Sequence, residues 1–239
     1  MKPGVSCIVP VFNGERFIAE ALASIAEQEY GPLEIIVVDD GSTDCTHDVV
    51  MNSGIQVRYL RQNNAGGPTA RNTGIKAATA EFIAFLDADD RWHREKLARQ
   101  MARFTSRVEL DASVAHAQNF WMTEVAAEQG VVAADRRSGA VPGYVAGTLV
   151  TRRRFFDELG MFNETLRHGE QMEWFLRARQ AGAVIELLPD VLLHRRLHGD
   201  NVSRHTAEAS RSQYLELLKA ALDRRRLGSV PSTRVVYDE

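Results

Sequence analysis

Three carboxylates, Asp87, Asp89 and Asp90, directly follow a short apolar segment that runs from Phe82 to Leu86. The apolar segment is bounded by charged residues and predicts a buried strand. Three acids this close together repel one another unless a cation lies among them, and their hard oxygen atoms suit Mg²⁺ or Mn²⁺. Because these ions keep open positions that phosphate oxygens can fill, the cluster indicates a site for a metal-bound phosphate. A solvated acidic turn is the alternative.

The elements before this cluster predict strands that alternate with helices. Apolar and β-branched runs predict strands at 5–9, 34–38, 55–60 and 82–86, and three- and four-residue apolar spacing predicts a helix over 17–25. Ser42 or Thr43 could cap a second helix, and Pro68 suits the first turn of a third at 69–80. This order predicts an α/β fold with a mainly parallel, Rossmann-like sheet wound with helices, whose ligands collect where strands end. The loops expected there carry the acidic cluster and four further residues: Asn13, Asp39, Asp40 and Arg71.

The second half of the chain is less regular. Its patterns predict helices at 92–107, 155–159 and 170–181, strands at 113–120, 147–151 and 184–188, and a loop over 123–143. Pro189 is expected to end the last strand. Residues 207–226 predict a terminal amphipathic helix. Trp92 and Trp174 could stack on a sugar, but core positions are the commoner outcome for such residues.

Composition narrows the functional class. The chain has 239 residues, of which 44% are hydrophobic, and a net charge of −3, so it can bury a core and has no global affinity for nucleic acid. Cys7 and Cys45 form no disulfide framework or metal-ligand spacing, which fits a reducing, cytoplasmic location. No apolar run of about 18 residues predicts a membrane span. Basic runs at 152–154 and 224–226 could contact an anionic membrane surface peripherally, although a solvated face is commoner.

Two common phosphate-binding motifs are missing. The first strand-to-helix turn has no G-x-G-x-x-G, and no G-x-x-x-x-G-K-[ST] occurs in the chain. Dinucleotide-binding enzymes and P-loop proteins are therefore disfavoured.

Four motifs, in order, are PVFNGERFIAEALASI, EIIVVDDGSTD, NNAGGPTARNTGI and FLDADDRW, and later segments include GTLVTRRRFFDELGMFNE, GEQMEWFLRARQAG and LHGDNVS. Together they resemble glycosyltransferase family 2 over about residues 4–204. The resemblance implies a GT-A fold, a nucleotide-sugar donor, a divalent metal (Mg²⁺ or Mn²⁺) and inversion at the anomeric carbon. The resemblance also implies a domain at 1–205, with a donor half at about 1–106 and an acceptor half at about 107–205. A C-terminal helix and tail are expected at 206–239.

The resemblance also implies roles for individual donor-side residues. It places the nucleotide base and ribose against Pro10, Phe12, Asn13 and Asp40, with Asp39 beside them, and it makes Asp40 the expected uracil contact. Arg71 could pair with the acidic cluster or reach a phosphate.

The metal site implied by the resemblance rests mainly on Asp89. Asp87 is expected near the ribose or metal-bound water, and Asp90 in support. His198 in LHGDNVS would complete the metal or diphosphate shell, with His194 as the fallback.

The pattern departs from the family at the expected catalytic base. An inverting transfer needs a carboxylate that takes the proton of the acceptor hydroxyl, and the family supplies it as the Asp of a Glu-Asp pair. Here the pair is Glu170-Gln171, and an amide cannot accept that proton. Glu170 could act instead, Glu173 could reach in from the next turn, or transfer could be lost or altered. Glu170 is preferred because it opens the helix, whereas Glu173 is expected to pair with Arg177.

These observations predict a metal-dependent inverting glycosyltransferase. Its donor would be a nucleotide diphosphate sugar, UDP-sugar first, and its acceptor an unidentified hydroxyl on a saccharide, a lipid-linked molecule or a peptide, in cell-surface polysaccharide or glycolipid synthesis. The alternative is a nucleotide-sugar-binding protein with lost or altered transfer activity, because Gln171 replaces the usual Asp. The third hypothesis is a nucleotidyltransferase, since enzymes of that class also have metal-binding carboxylates and a sheet wound with helices.

Overall fold

The computed structural model describes residues 2–123, 125, 139–166, 168–199, 201 and 219. They form one nine-stranded sheet with helices on both faces. The strands are β1 Val5–Val11, β2 Leu33–Asp39, β3 Arg58–Arg61, β4 Phe82–Phe85, β5 Arg91–Trp92, β6 Ala112–Trp121, β7 Ala140–Gly143, β8 Val150–Arg152 and β9 Ile185–Leu197. The helices are α1 Ile18–Ala26, α2 Thr46–Met51, α3 Gly67–Ala77, α4 Lys96–Ser106, α5 Arg153–Leu159 and α6 Glu170–Gln180, with a 3₁₀ turn at Ala146–Thr148.

The sheet has the strand order β3-β2-β1-β4-β8-β6-β9-β5, and β7 pairs with β6. Strands β1 to β4 are mutually parallel, as predicted for the first half of the chain. In the second half β8 joins β4 and β6 in antiparallel pairs, while β6 and β9 are parallel. The carboxyl ends of β1, β2 and β4 therefore meet at one edge, and the polar segments that follow them are brought together there.

Two buried apolar clusters lie on the two faces of the sheet. One contains the predicted stripe of α1, whose Ile18, Leu22 and Ile25 are fully buried. The other surrounds Trp174 of α6, which is also fully buried. Trp92 is buried as well, and its Nε1 donates to the Gly147 carbonyl at 2.8 Å. Both tryptophans are core residues, so neither is available to stack on a sugar.

Several predicted boundaries were wrong near prolines and turns. β1 continues through Pro10, because pairing with β4 stops at Ile8 and the missing N–H of Pro10 costs no ladder bond. β9 likewise passes through Pro189, where a register irregularity takes up the extra residues. Neither Ser42 nor Thr43 caps α2, since α2 begins at Thr46 and Ser42 Oγ instead accepts the Asn13 N–H at 2.9 Å.

Four further elements differ from their predicted bounds. Trp92 pairs with Leu193 in β5 instead of opening a helix, and α4 begins only at Lys96. The third strand is shorter than expected and starts at Arg58. The strand expected at 147–151 is divided between the 3₁₀ turn and β8, and the end of the expected loop at 123–143 forms β7. The terminal helix at 207–226 and the basic run at 224–226 lie outside the described residues, apart from Lys219.

Candidate active site

Asp39 ends β2 and is completely buried. Its Oδ1 accepts the Ser42 N–H at 2.8 Å and its Oδ2 accepts the Tyr59 hydroxyl at 2.5 Å. Burial by itself would raise the pKa of Asp39, but these hydrogen bonds and the nearby charge of Arg61 outweigh it and lower the pKa below its ordinary value. Asp39 therefore remains ionised and shapes the turn after β2.

Asp40 holds the loop that leads into α3. Its Oδ1 accepts hydrogen bonds from Gln62 Nε2 at 2.8 Å and from the Ala65 N–H at 2.9 Å, and its Oδ2 accepts the Gly66 N–H at 2.8 Å. Asp40 is buried, so a uracil contact by its carboxylate would use the lone pairs that these three donors leave unoccupied.

The segment after β1 supplies an exposed aromatic surface beside this loop. Phe12 is 51% exposed, which is unusual for phenylalanine and makes it accessible from solvent. Asn13 adopts a positive φ of 52° and its Oδ1 accepts the Thr43 N–H at 2.8 Å. Pro10 is half-buried at the end of β1. The four residues expected at the nucleotide base thus lie on two adjacent strand ends.

Arg71 lies in α3 and connects the acidic cluster to the second half of the chain. Its Nη2 donates to Asp87 Oδ1 at 2.6 Å and its Nη1 donates to Glu170 Oε1 at 3.1 Å. Burial would lower the pKa of Arg71, but the two carboxylates outweigh it and raise the pKa above its ordinary value. The guanidinium is therefore a permanent cation between a carboxylate of the acidic cluster and the carboxylate at the start of α6.

The acidic cluster divides into two half-exposed carboxylates and one buried one. Asp87 and Asp89 are half-buried, whereas Asp90 is buried and its Oδ1 accepts the Arg196 N–H at 2.8 Å. Burial, followed by the charges of Asp89 and Asp87, raises the pKa of Asp90 well above its ordinary value. A cation at Asp87 and Asp89 would relieve this repulsion, which is the electrostatic condition expected at a metal site.

His198, which was expected to complete a metal or diphosphate shell, contacts Asp89. Its Nε2 lies 3.0 Å from Asp89 Oδ2, and its ring packs on Phe17 with 4.7 Å between centroids. His194, the fallback, is instead opposite Arg91 in the antiparallel pairing of β9 with β5. Burial, and then the charges of Arg91 and His93, lower the pKa of His194.

Two residues in this shell were missed by sequence reasoning. Asn201 Nδ2 donates to Asp89 Oδ2 at 3.0 Å. Arg196 Nε donates to the Asp89 carbonyl at 2.9 Å, and its Nη2 donates to Glu20 at 2.7 Å. Asn201 lies in the same LHGDNVS segment as His198, so the motif carried a signal for it. Glu20 and Asp89, the partners of Arg196, lie in distant segments, and no sequence motif indicated these contacts.

A divalent ion fits the donor set at the acidic cluster. Asp87 Oδ2 and Asp89 Oδ1 accept no hydrogen bond within the described part of the chain, so each carboxylate keeps one oxygen available. No three His, Cys, Asp or Glu side chains among those residues converge closely enough to enclose an ion. Mg²⁺ and Mn²⁺ tolerate such sites, because phosphate and water oxygens complete their coordination.

Glu170 begins α6 directly after Gly169, whose φ of 78° is one that glycine adopts readily. The Glu170 side chain is buried, and its Oε1 accepts from Arg71 and from Gln171 Nε2, the latter at 3.2 Å. Oε2 has no hydrogen-bond partner among the described residues. Gln171 Oε1 accepts the Ala146 N–H at 2.7 Å and so connects α6 to the 3₁₀ turn.

Glu173 occupies a different environment from Glu170. Arg177 Nε donates to its Oε1 at 2.8 Å and Arg177 Nη2 to its Oε2 at 3.1 Å, so both carboxylate oxygens are engaged. This is the i,i+4 pair expected from the sequence. Glu173 is therefore placed as a structural partner of Arg177.

The basic run at 152–154 is remote from this edge. Arg152 pairs with Phe82 at the amino end of β4, whereas the acidic cluster follows its carboxyl end. Arg152 also forms an ion pair with Glu81 at 3.2 Å. These arginines belong to the opposite edge of the sheet.

The wound sheet, with acidic side chains gathered where its parallel strands end, agrees with the GT-A fold that the motifs predicted. The model of the family described as "Glycosyl transferase family 2" matches residues 6–160, and the chain belongs to this family. This is the family that the resemblance of its motifs predicted.

Curated relatives agree with this assignment. An uncharacterized glycosyltransferase of Rickettsia felis is 28% identical over 226 residues, covering 87% of this chain and 37% of the relative. The putative teichuronic acid biosynthesis glycosyltransferase TuaG of Bacillus subtilis is 38% identical over 105 residues, covering 42% of this chain and 41% of TuaG. The chain thus spans well under half the length of these two relatives.

Solved structures confirm the GT-A fold. S. aureus TarS 1–349 in complex with UDP-GlcNAc has a TM-score of 0.70 at 25% identity, covering 91% of this chain and 65% of that structure. The mannosyltransferase PcManGT from Pyrobaculum calidifontis, in complex with GDP-Man and Mn²⁺, has a TM-score of 0.71 at 23% identity, covering 97% and 66%. In the described part of this chain no helix is long and apolar enough to cross a membrane.

Proposed function

We propose that this chain is a metal-dependent, inverting glycosyltransferase that moves a sugar from a UDP-sugar to a hydroxyl acceptor. The observation that carries the proposal is the position of Arg71 between Asp87 and Glu170. One buried cation joins a carboxylate of the proposed metal cluster to the carboxylate at the start of α6. Donor departure and acceptor activation would then occur on either side of the same guanidinium.

The donor half is assigned from the free oxygens of Asp87 and Asp89. These two residues would hold Mg²⁺ or Mn²⁺ with His198, while buried Asp90 supports them through the Arg196 main chain. The ion would stabilise the negative charge that develops on the β-phosphate as it leaves. Asp39, Asp40, Asn13, Pro10 and Phe12 would receive the nucleoside, with the exposed Phe12 ring against the base.

The catalytic base is assigned to Glu170. In an inverting transfer the acceptor oxygen attacks the anomeric carbon from the face opposite the diphosphate, the bond to the β-phosphate oxygen breaks, and the hydroxyl proton moves to the base. Glu170 Oε2 has no partner in the described chain and could take that proton, while Oε1 is oriented by Arg71 and Gln171. Both oxygens of Glu173 are occupied by Arg177, which makes Glu173 the weaker candidate.

The donor nucleotide, the class of acceptor and the cellular location are also part of the proposal. UDP is favoured by the likeness to TarS in complex with UDP-GlcNAc. The name of TuaG supports an acceptor in a cell-surface polysaccharide. We also propose a cytoplasmic location, with which the free thiols of Cys7 and Cys45 are compatible, and contact with the inner face of the membrane. We also propose that the glycosyltransferase domain comprises residues 1–205 and is followed by a separate C-terminal segment from residue 206.

Calorimetric titration with UDP, GDP and dTDP, each with and without Mn²⁺, tests the donor half. Hydrolysis of the sugar derivative of the best nucleotide then tests turnover without requiring the acceptor. We expect Mn²⁺-dependent preference for UDP, lost in Asp89→Ala and kept in Asp157→Ala, an acid on the exposed face of α5. Metal-independent UDP binding with undiminished hydrolysis in Asp89→Ala would falsify the assignment.

A further inference from the structure

Arg196 is buried near the end of β9 and contacts the acidic turn, which comprises residues 87–90 and is closed by the Asp90 N–H donating to the Asp87 carbonyl at 3.0 Å. The main-chain N–H of Arg196 donates to Asp90 Oδ1 at 2.8 Å, and its Nε donates to the main-chain carbonyl of Asp89 at 2.9 Å. One residue therefore holds the side chain of Asp90 and the main chain of Asp89. Because Nε donates to a carbonyl, this contact occupies neither carboxylate oxygen of Asp89.

Arg196 also reaches the Asp89 carboxylate through Asn201. The Nδ2 group of Asn201 donates to the Arg196 carbonyl at 3.1 Å and to Asp89 Oδ2 at 3.0 Å. His198 contacts the same Oδ2, and its N–H donates to Asn201 Oδ1 at 2.6 Å. Within the described residues both contacts fall on Oδ2, which fixes the orientation of the carboxylate and leaves Oδ1 available to a cation.

The guanidinium of Arg196 is itself anchored by four side chains. It lies 4.6 Å from the ring centroid of Phe17 and 4.8 Å from that of Phe120. Its Nη2 donates to Glu20 Oε2 at 2.7 Å, and its Nη1 donates to Met122 Sδ at 3.6 Å. Cation–π contacts and a charge-assisted hydrogen bond restrict such a group to one orientation. The side chain that holds the acidic turn is therefore fixed by its own surroundings.

Packing alone does not require an arginine at this position. A methionine side chain of similar length could contact the same two rings without burying a charge. A guanidinium is needed to donate to the Asp89 carbonyl and to Glu20 together, because its donors point in separate fixed directions, whereas those of a lysine share one nitrogen atom. The contacts of Arg196 with the acidic turn therefore depend on the chemistry of arginine.

We propose that Arg196 is a positioning residue of the metal site, which holds Asp89 and Asp90 in the orientation that a divalent ion requires. Residues that orient metal ligands contribute to affinity without touching the ion. Arg196 acts through these acids and is not itself a ligand, because a guanidinium has no lone pair to offer a cation. This inference rests on the proposed function, because it takes the acidic turn as the metal site.

The test measures Mn²⁺ binding by electron paramagnetic resonance titration in the presence of saturating UDP, so it requires no turnover. The variants are Arg196→Met, Arg196→Lys and Glu20→Gln. Glu20 is 49% exposed, so Glu20→Gln weakens the anchor of Arg196 without altering the core. Arg103→Met is the matched control, because Arg103 donates twice to Glu186 at the opposite end of β9. Urea denaturation reports the stability of each variant.

We expect Arg196→Met to weaken Mn²⁺ binding by about 10- to 100-fold. Glu20→Gln should weaken it by about threefold, because a neutral amide holds the guanidinium less strongly than a carboxylate does. Arg196→Lys should recover part of the affinity lost in Arg196→Met. Arg103→Met should keep the native Mn²⁺ affinity even where its unfolding free energy falls. If Arg196→Met does not fold, Arg196→Lys and Glu20→Gln decide.

Native Mn²⁺ affinity in the folded Arg196 variants and in Glu20→Gln would overturn the role of Arg196 and leave the proposed function intact. An equal loss of affinity in Arg103→Met would also overturn it, because general destabilisation would then explain the effect. Absence of Mn²⁺ binding by the native chain would overturn the proposed function together with this inference.

Discussion

Arg71 Nη1 donates to Glu170 Oε1 at 3.1 Å, although the two residues are 99 positions apart in the chain. The second arm of the same guanidinium donates to Asp87. The geometry of Glu170 is therefore set by a helix of the first half of the chain as well as by its own helix. Arg71 thus contacts both the acidic cluster and Glu170 through one side chain.

The first prediction concerns the base. Glu170→Gln keeps the shape and the hydrogen bond from Arg71 but removes the proton acceptor, so transfer should slow by roughly a hundred- to ten-thousandfold while UDP binding is unchanged. Steady-state kinetics with donor and acceptor measure this. Glu173→Gln is the matched control, and its kcat should stay within about threefold of the native value, since Glu173 is engaged by Arg177. Equal losses in the two variants would contradict the assignment.

The second prediction concerns the role of Gln171. Its two hydrogen bonds connect Glu170 to the 3₁₀ turn, so Gln171→Ala should lower kcat by about tenfold with little change in donor affinity. Gln171→Asp should not restore kcat to the native value. The shorter side chain loses the contact with Ala146 and places a second negative charge beside Glu170. A rise in turnover in Gln171→Asp would show that the base belongs at position 171.

The sequence was sufficient to predict the residues that depend on strand ends. Asp39, Asp40 and the acidic cluster each follow an apolar run directly, and parallel topology brings such ends to one edge. The pairing of Glu173 with Arg177 was also predicted, because four-residue spacing on a helix is local.

The sequence could not show contacts between distant segments. His198 and Asp89 are separated by 109 positions, and only the resemblance of the motif suggested that they meet. The partners of Arg196 and the pairing of Trp92 with Leu193 carry no periodic signal at all. Such contacts arise from the packing of β9 against β5 and β6, which one-dimensional patterns do not encode.

The third prediction concerns the support of the metal site. His198→Ala removes the ring that contacts Asp89 and packs on Phe17, so Mn²⁺ affinity should fall by about 10- to 100-fold, as for other residues that orient metal ligands. Titration of UDP binding against Mn²⁺ concentration measures the shift. His194→Ala is the control and should leave the Mn²⁺ dependence unchanged. The same shift in both variants would exclude a specific role for His198.

The fourth prediction concerns stability. In Arg71→Met the buried carboxylate of Glu170 loses its cation, which should cost about 3 kcal/mol of unfolding free energy. The side chain of Asp87 is 39% exposed and would be rehydrated, so the loss of its ion pair with Arg71 contributes little to the decrease in unfolding free energy. Urea denaturation measures the loss, and Arg154→Met should be neutral. If the cost is due to the uncompensated charge, adding Glu170→Gln to Arg71→Met should recover part of it. An unchanged or larger loss in the double variant would indicate a packing defect instead.

The last prediction concerns Lys96, which is fully buried and whose Nζ has no hydrogen-bond partner in the described chain. Its ammonium lies 4.3 Å from the ring centroid of Trp92. Burial lowers the pKa of Lys96 from 10.5 to about 7. Between these values the unfolded chain holds a proton that the folded chain has released, so stability must rise with pH. Burial also raises the pKa of Cys7 from 9.0 to about 12, and above pH 9 the folded chain keeps a thiol proton that the unfolded chain has lost, which offsets the rise due to Lys96.

The useful window therefore runs from pH 7 to pH 9, and the free energy of unfolding should rise by about 2 kcal/mol across it. Lys96→Met keeps the volume but removes the titrating group, so its stability should be flat over this window and higher than that of the native chain at pH 7. Urea denaturation at several pH values measures both effects. Lys76→Met, at an exposed position of α3, should retain the native slope. A slope that persists in Lys96→Met would mean that another group is responsible and that the ammonium of Lys96 stays protonated beside Trp92.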